Sequence, residues 1–238
     1  MPESDTGPWV GPRLILLRHG EIASHHGDIP LTERGHQQAR RAGRAIGRTG
    51  TTLSAVLTSA TVRTRETAAD LYLGLRDAAP ELTVTEPRLS FALRNPDLYL
   101  AGHHVNFVST ATAFCEQAPV LSEAQCLDVP FIAGFLNAPD RIRYWLTHPS
   151  PPGDDSRGVA TRLATFVASL ADVPGRESRT LIGITHSPLL RALALEFLGA
   201  DPGEPEYLHG YSIHVRHDRG IDVEPFNPYE AAVPRATN

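Results

Sequence analysis

Short apolar runs alternate with longer amphipathic stretches along this chain. Leu14-Ile15-Leu16-Leu17, Leu53 to Thr58 and Thr180 to Ile184 are brief runs rich in large or branched side chains, and each ends at polar residues. Runs of this length and composition read as buried strands. The first strand is taken as Arg13 to Leu17. Thr32 is placed to N-cap a helix reaching about Arg48, with Glu33 in its first turn. Gly35, Gly43 and Gly47 weaken that helix by propensity, although small residues there let it lie close to the sheet. A second helix is predicted from Ser59 to about Leu75, with Val62, Ala69, Leu71 and Leu75 facing inward. Leu82 to Thr85 reads as a short strand. Asp155-Ser156 precedes a helix from about Val159 to Leu170. Pro188 to Leu198 forms another, which stops at Gly199, and Ser212 to Val215 is a late strand near a sheet edge.

Between about Pro87 and Pro152 the pattern changes. Half of the aromatics fall here: Phe91, Tyr99, Phe107, Phe114, Phe131, Phe135, Tyr144 and Trp145. Val105 to Glu116, Ser122 to Cys126 and Asp140 to His148 read as helices, with prolines as breaks. The stretch is too long for a simple loop and reads as a helical insertion covering the strand ends. Its rings make a small core of their own; a second reading turns some of them toward a site that takes a bulky or apolar group.

Strands alternating with helices imply an α/β fold of three layers, α/β/α, around a mostly parallel sheet. The 238 residues suit a single domain over 1–238. Residues 1–12 read as a loose arm, 87–152 as the helical insertion over the strand C-terminal ends, and 225–238 as a loose Pro-containing tail. Right-handed crossovers bring the ends of successive parallel strands to one rim. In such sheets that rim binds ligands.

Three residues stand at the end of the first strand: Arg18, His19 and Gly20. Arg is the side chain best shaped to grip phosphate oxygens. A neutral imidazole is a competent nucleophile, and glycine lets a ligand come close. Ser59 and Arg63 follow the second strand, and His186 follows the third. Two cations and two imidazoles at one rim make a phosphoryl-transfer centre. His19 is the candidate nucleophile, attacking through an unprotonated nitrogen while the other ring nitrogen donates to a nearby carbonyl. Arg18, Arg63 and a protonated His186 grip the equatorial oxygens. Ser59, with the N-terminus of its helix, adds donors, and Ser24 and Glu21 complete the list of candidate phosphate- or substrate-binding residues.

Arg18-His19-Gly20, the segment Gly27 to Gly35, Thr58-Ser59, Arg63-Thr64, Glu66-Thr67-Ala68 and Thr185-His186 together resemble the histidine phosphatase superfamily, the phosphoglycerate mutase-like phosphatases. The resemblance spans roughly residues 13 to 75 and 155 to 215. It implies that Arg18, His19, Arg63 and His186 form the phosphate pocket. It also implies a general acid, for which relatives carry Glu in a Leu-x-Glu context after the third strand or Asp after the second histidine. Here those positions hold Phe91 and Ser187. Asp97 is the candidate substitute, with Glu21 and Glu123 as others. Where some mutase-like members carry Asn after the motif, this chain has His25.

The net charge of −5 and the lack of a long basic run exclude nucleic acid as the expected partner. No apolar run approaches membrane-spanning length, so no membrane partner is expected. Cys115 and Cys126 make neither a metal-ligand pattern nor a disulfide framework, which suits a reducing cytoplasm. Adjacent histidines such as His25-His26 and His103-His104 seldom chelate one ion, so no metal and no organic cofactor is expected. Monomer and homodimer both remain open. The expected activity is hydrolysis of a small-molecule phosphomonoester through a phosphohistidine. The alternatives are a phosphomutase, or a binding or regulatory protein on the same scaffold.

Overall fold

The computed structural model describes residues 11–24, 27–172 and 179–231. Eight strands are present among them: β1 (Arg13–Arg18), β2 (Leu53–Thr58), β3 (Thr85–Leu89), β4 (Leu98–Leu100), β5 (His103–Val105), β6 (Thr180–Thr185), β7 (Gly210–Val215) and β8 (Ile221–Phe226). The helices are α1 (Glu33–Gly47), α2 (Val62–Ala78), α3 (Ala111–Gln117), α4 (Glu123–Leu127), α5 (Pro130–Asn137), α6 (Arg141–Thr147), α7 (Ser156–Ala168), α8 (Ser187–Leu198) and α9 (Pro228–Ala231).

Six strands form one sheet in the order β3-β2-β6-β1-β7-β8. The first four are mutually parallel, whereas β7 and β8 run antiparallel at one edge. Strand alternation sends Ile15 and Leu17 into one core with α1 and α2, and Leu14 and Leu16 into another with α7 and α8. The expected three-layer α/β/α architecture is therefore present. No helix among the described residues is long and apolar enough to cross a membrane.

The Thr32 hydroxyl caps α1 as expected, accepting from the Gly35 amide at 3.0 Å. The small residues of α1 bring it close to α2 rather than to the sheet: a Cβ on Gly43 would meet the Leu71 carbonyl, and one on Gly74 the Arg40 carbonyl. The buried stripe of α2 is Thr64, Thr67, Ala68, Leu71, Gly74 and Leu75, with Ala69 exposed. Two threonines enter it because each hydroxyl donates to a backbone carbonyl, Thr64 to Ser59 and Thr67 to Arg63.

The insertion builds its own apolar cluster around Phe114, Phe135 and Trp145, and shares it with Leu189 and Ala192 of α8. It is less helical at its start than the pattern predicts. Residues 98–105 form the β4–β5 hairpin, with Ala101 and Gly102 at positive φ in its turn, and α3 begins only at Ala111. The strand expected over Leu82 to Thr85 lies further on, at Thr85–Leu89. Pro225 does not begin a loose tail. It sits in β8 opposite Tyr211, tolerated on an edge strand, and α9 follows. At the other end Pro12 is buried, and its carbonyl accepts from the Val215 amide. The rest of the predicted arm and tail lies outside the described residues.

Candidate active site

Register builds the site. Arg18 pairs with Thr185 across β1 and β6, and Thr58 pairs with Ile184 across β2 and β6. Each strand therefore delivers its next residue to the same rim, and those residues are His19, His186 and Ser59. Two backbone bonds extend the ladders just past the strand ends: the His19 amide donates to the Thr185 carbonyl at 3.0 Å, and the Ser59 amide to the Ile184 carbonyl at 3.2 Å. The imidazoles of His19 and His186 meet edge to face with ring centroids 5.6 Å apart.

The His19 Nδ1–H donates to the Gly20 carbonyl at 2.7 Å. A carbonyl can only accept, so the proton is on Nδ1 and the lone pair on Nε2. Gly20 is held in turn: its amide donates to the Thr67 hydroxyl at 2.9 Å. His186 Nε2 lies 2.9 Å from Ser59 Oγ, which is 2.9 Å from Thr64 Oγ1, and Thr64 donates to a backbone carbonyl. That chain suits a proton on Nε2 and leaves the lone pair on His186 Nδ1. Burial, then Arg63, His19 and Arg18, push the His186 pKa well below 6.5. The ring is neutral before an anion arrives.

Arg18 is buried. Its guanidinium donates to the Pro205 carbonyl at 2.5 Å, pairs with Glu204 at 2.7 Å, and lies 4.1 Å from the Tyr207 ring centroid. Arg63, in the first turn of α2, pairs with Asp28 at 3.4 Å. Asp28 also accepts from the Val62 amide at the head of that helix. Burial depresses both guanidinium pKa values from their ordinary position. Three buried side-chain atoms here find no hydrogen-bond partner among the described residues: the donors Arg18 Nε and Arg63 Nε, and His186 Nδ1, which bears a lone pair until it is protonated. Each such group ordinarily costs about 1–3 kcal/mol; an anion satisfies the two guanidinium donors, and His186 Nδ1 as well once that atom is protonated.

A cavity of about 810 Å³ contains Arg18, His19, Arg63 and His186. The insertion walls its far side with Phe107, Val108 and Phe135, and with the polar Asn95, Asn106, Gln117 and Arg141. Some of the insertion's rings therefore do face the site.

The other predicted residues are distributed differently. Ser59 stands beneath His186 as described. Ser24 is not among the cavity's lining residues. Glu21 lies outside the cavity, on an adjoining cleft, where it accepts from Thr32 Oγ1 at 3.0 Å and steadies the start of α1. Asp97 does not line the cavity either. Arg94 holds its carboxylate at 2.7 Å, with His104 at 3.2 Å, and these partners keep its pKa below the usual value despite burial. A group so held ionised makes a poor proton donor. Glu123 is occupied by the Thr112 hydroxyl at 2.6 Å. Phe91 is exposed beneath Arg94. His25 and His26 lie outside the described residues. No cluster of three or more His, Cys, Asp or Glu that could hold a metal occurs among the described residues.

Sequence reasoning missed Glu204. It lines the cavity, pairs with Arg18 and accepts from Ser187 Oγ at 2.5 Å. It sits in the segment Asp201-Pro202-Gly203-Glu204-Pro205-Glu206, which has no periodicity to mark an inward side chain.

Residues 14–89 match the model of the histidine phosphatase superfamily, branch 1. Solved structures share the fold across nearly the whole chain. A mycobacterial glucosyl-3-phosphoglycerate phosphatase in complex with VO3 is 20% identical, with 90% of this chain and 97% of that one covered at a TM-score of 0.57. A phosphoglycerate mutase from Bacillus anthracis is 14% identical, with 92% and 94% covered at a TM-score of 0.56. Bacillus stearothermophilus YhfR is 21% identical, with 92% and 100% covered at a TM-score of 0.56. A comparison with the curated proteins gives no match.

Proposed function

We propose, on the premise that the chain is a histidine phosphatase superfamily member, that it hydrolyses a small-molecule phosphomonoester through a phosphohistidine at His19. The observation that carries this reading is the pair of unpartnered guanidinium donors on Arg18 and Arg63, with His186 Nδ1 as a third once protonated, on residues that line one cavity with His19. A phosphomonoester is close to dianionic near neutral pH, and its three non-bridging oxygens are what such donors can satisfy. The two guanidiniums neutralise the charge that would repel the nucleophile, and the fixed His19 tautomer presents a lone pair to phosphorus.

As His19 Nε2 attacks, the Nε2–P bond forms and the P–O bond to the alcohol breaks. The Nδ1–H bond to Gly20 stabilises the positive charge that develops on the ring. His186 acquires a proton at Nδ1 when the dianion binds and, keeping it, hydrogen-bonds through that N–H to an equatorial oxygen. Water then attacks phosphorus, the P–N bond breaks, and His19 regains its lone pair. The leaving group extends toward Phe107, Phe135 and Arg141, which suits an alcohol with an apolar body and a polar or anionic end.

The test is trapping. Wild-type protein mixed with radiophosphate-labelled para-nitrophenyl phosphate and quenched in alkali should carry an acid-labile, base-stable label. His19→Ala should carry none and should lose turnover while binding vanadate in a folded state. Label retained in His19→Ala, or turnover equal to that of the parent, removes His19 from the reaction. The same experiment separates hydrolysis from a mutase reaction, because a mutase passes the label to an added alcohol faster than to water.

A further inference from the structure

The two positions at which the family resemblance implies a general acid hold Phe91, which is exposed and outside the cavity, and Ser187, which carries only a hydroxyl. The cavity nevertheless contains carboxylates, and their partners distinguish them. Asp28 is committed to α2: its two oxygens accept from the Val62 amide at 2.9 and 3.1 Å and one also pairs with Arg63. A carboxylate on a helix N-terminus is stabilised in its charged form. Glu116 stands on α3, in the far wall, and is exposed. Glu204 is different. One of its oxygens meets Arg18, the neighbour of His19, and the other meets the hydroxyl of Ser187, the neighbour of His186. Arg191, buried behind it, adds a second cationic contact at 3.8 Å.

We propose that Glu204 is the general acid and base of the reaction, brought to the rim by the loop after α8. This rests on the phosphohistidine reading. When a phosphomonoester enters, it shares through the unpartnered Nε the Arg18 guanidinium whose Nη2 Glu204 holds, and negative charge arrives beside the carboxylate. Both changes favour the carboxylic acid. The Ser187 hydroxyl remains to orient it. As the P–O bond breaks, the electron pair on the leaving oxygen takes the proton of the Glu204 acid, leaving carboxylate. In the second half that carboxylate accepts a proton from the attacking water while the P–N electron pair returns to His19. The acid is regenerated, and the sum is ester plus water giving alcohol plus phosphate.

The test is the dependence of kcat/KM, which covers the steps up to enzyme phosphorylation, on the leaving group. Phenol is a poorer leaving group than para-nitrophenol and needs the proton more. Glu204→Gln should lower kcat/KM for phenyl phosphate by about a hundredfold or more, and for para-nitrophenyl phosphate far less. It should also remove the alkaline limb of the phenyl phosphate pH profile. Glu204→Asp should keep that limb. Ser187→Ala, which leaves the carboxylate in place but unanchored, should show the same leaving-group bias in weaker form. Vanadate binding checks that each variant is folded. Equal losses on both esters with an unchanged pH profile would reduce Glu204 to a positioning residue for Arg18 and overturn the proposal, as would unchanged kinetics. Because labelling of His19 by para-nitrophenyl phosphate does not depend on Glu204, failure of that labelling in the wild type would sink the phosphohistidine reading instead.

Discussion

Arg191 reaches Asp201 with two contacts, Nε to Oδ1 at 2.8 Å and Nη2 to Oδ2 at 2.6 Å, from within the apolar run Leu189 to Leu195 of α8. The same guanidinium grips both oxygens of Asp140, at 2.9 and 2.6 Å. Asp140 is the N-cap of α6, in the insertion, and Asp201 opens the loop that carries Glu204. One cation therefore fastens two parts of the site's wall to the helix that begins beside His186. The arrangement holds both aspartates below their ordinary pKa and raises that of Arg191.

Arg191→Met removes this fastening and leaves Asp201, whose side chain is only 7% exposed, as a buried charge without its partner. The expected loss is about 3–5 kcal/mol of unfolding free energy, read from urea denaturation. Because Asp140 is more open to water, Asp140→Asn should cost clearly less. Equal costs for the two variants would show that burial of Asp201 does not set the penalty.

A second prediction concerns the contact between α1 and α2. Gly43 and Gly74 each lie where an added Cβ would strike a carbonyl of the facing helix, Leu71 and Arg40 respectively. In an isolated helix Gly→Ala is favourable by up to about 1 kcal/mol. Here the helices would have to separate, and overpacking of this kind costs about 1–3 kcal/mol. Gly43→Ala and Gly74→Ala should each lower the midpoint of thermal unfolding. An increase for either would mean that the helix pair can spread at no cost.

The rim of the site was legible because each of its residues follows an apolar run, and parallel pairing turns that order into proximity. His19 and His186 are 167 positions apart, yet Arg18 and Thr185 pair directly. What stayed hidden has a physical reason in each case. Arg191 sits among leucines and alanines and breaks no period. Glu204 lies in a loop, where side-chain direction follows from tertiary contacts alone. The hairpin of β4 and β5 is too short for an alternation to stand out, and Pro225 suggested a chain end although an edge strand accepts proline. Asp97 has the right residue type at a plausible distance along the chain, but Arg94, three residues earlier, claims its charge.

Thr67 yields a third prediction. It is fully buried, accepts from the Gly20 amide at 2.9 Å and donates to the Arg63 carbonyl at 2.6 Å. One hydroxyl thus ties the residue after His19 to the turn that carries Arg63. Thr67→Val keeps the shape but orphans the Gly20 amide, a cost of about 1–3 kcal/mol. Turnover of para-nitrophenyl phosphate should fall about tenfold, the equivalent of roughly 1.4 kcal/mol, with most of the loss in kcat. Thr67→Ser should restore it. A Thr67→Val variant with parental kcat would show that His19 is positioned without this bond.

His186 links the site to acid stability. In the folded protein its pKa is pushed well below 6.5, first by burial and then by Arg63, His19 and Arg18. Unfolding returns it to its ordinary value, so below about pH 6.5 the unfolded chain binds a proton that the folded chain refuses. The contribution is complete above that pH and is lost as pH falls toward the folded value, with a slope of up to about 1.4 kcal/mol per pH unit. His186→Gln should therefore lose less stability than the wild type when urea denaturation is compared between about pH 7 and about pH 5. Phosphate at saturating concentration should act in the same direction on the wild type, because the bound dianion favours the protonated ring and binding then takes up a proton. Parallel curves for wild type and His186→Gln, with no proton uptake by calorimetry in buffers of different ionisation enthalpy, would show that His186 does not change charge when the anion binds.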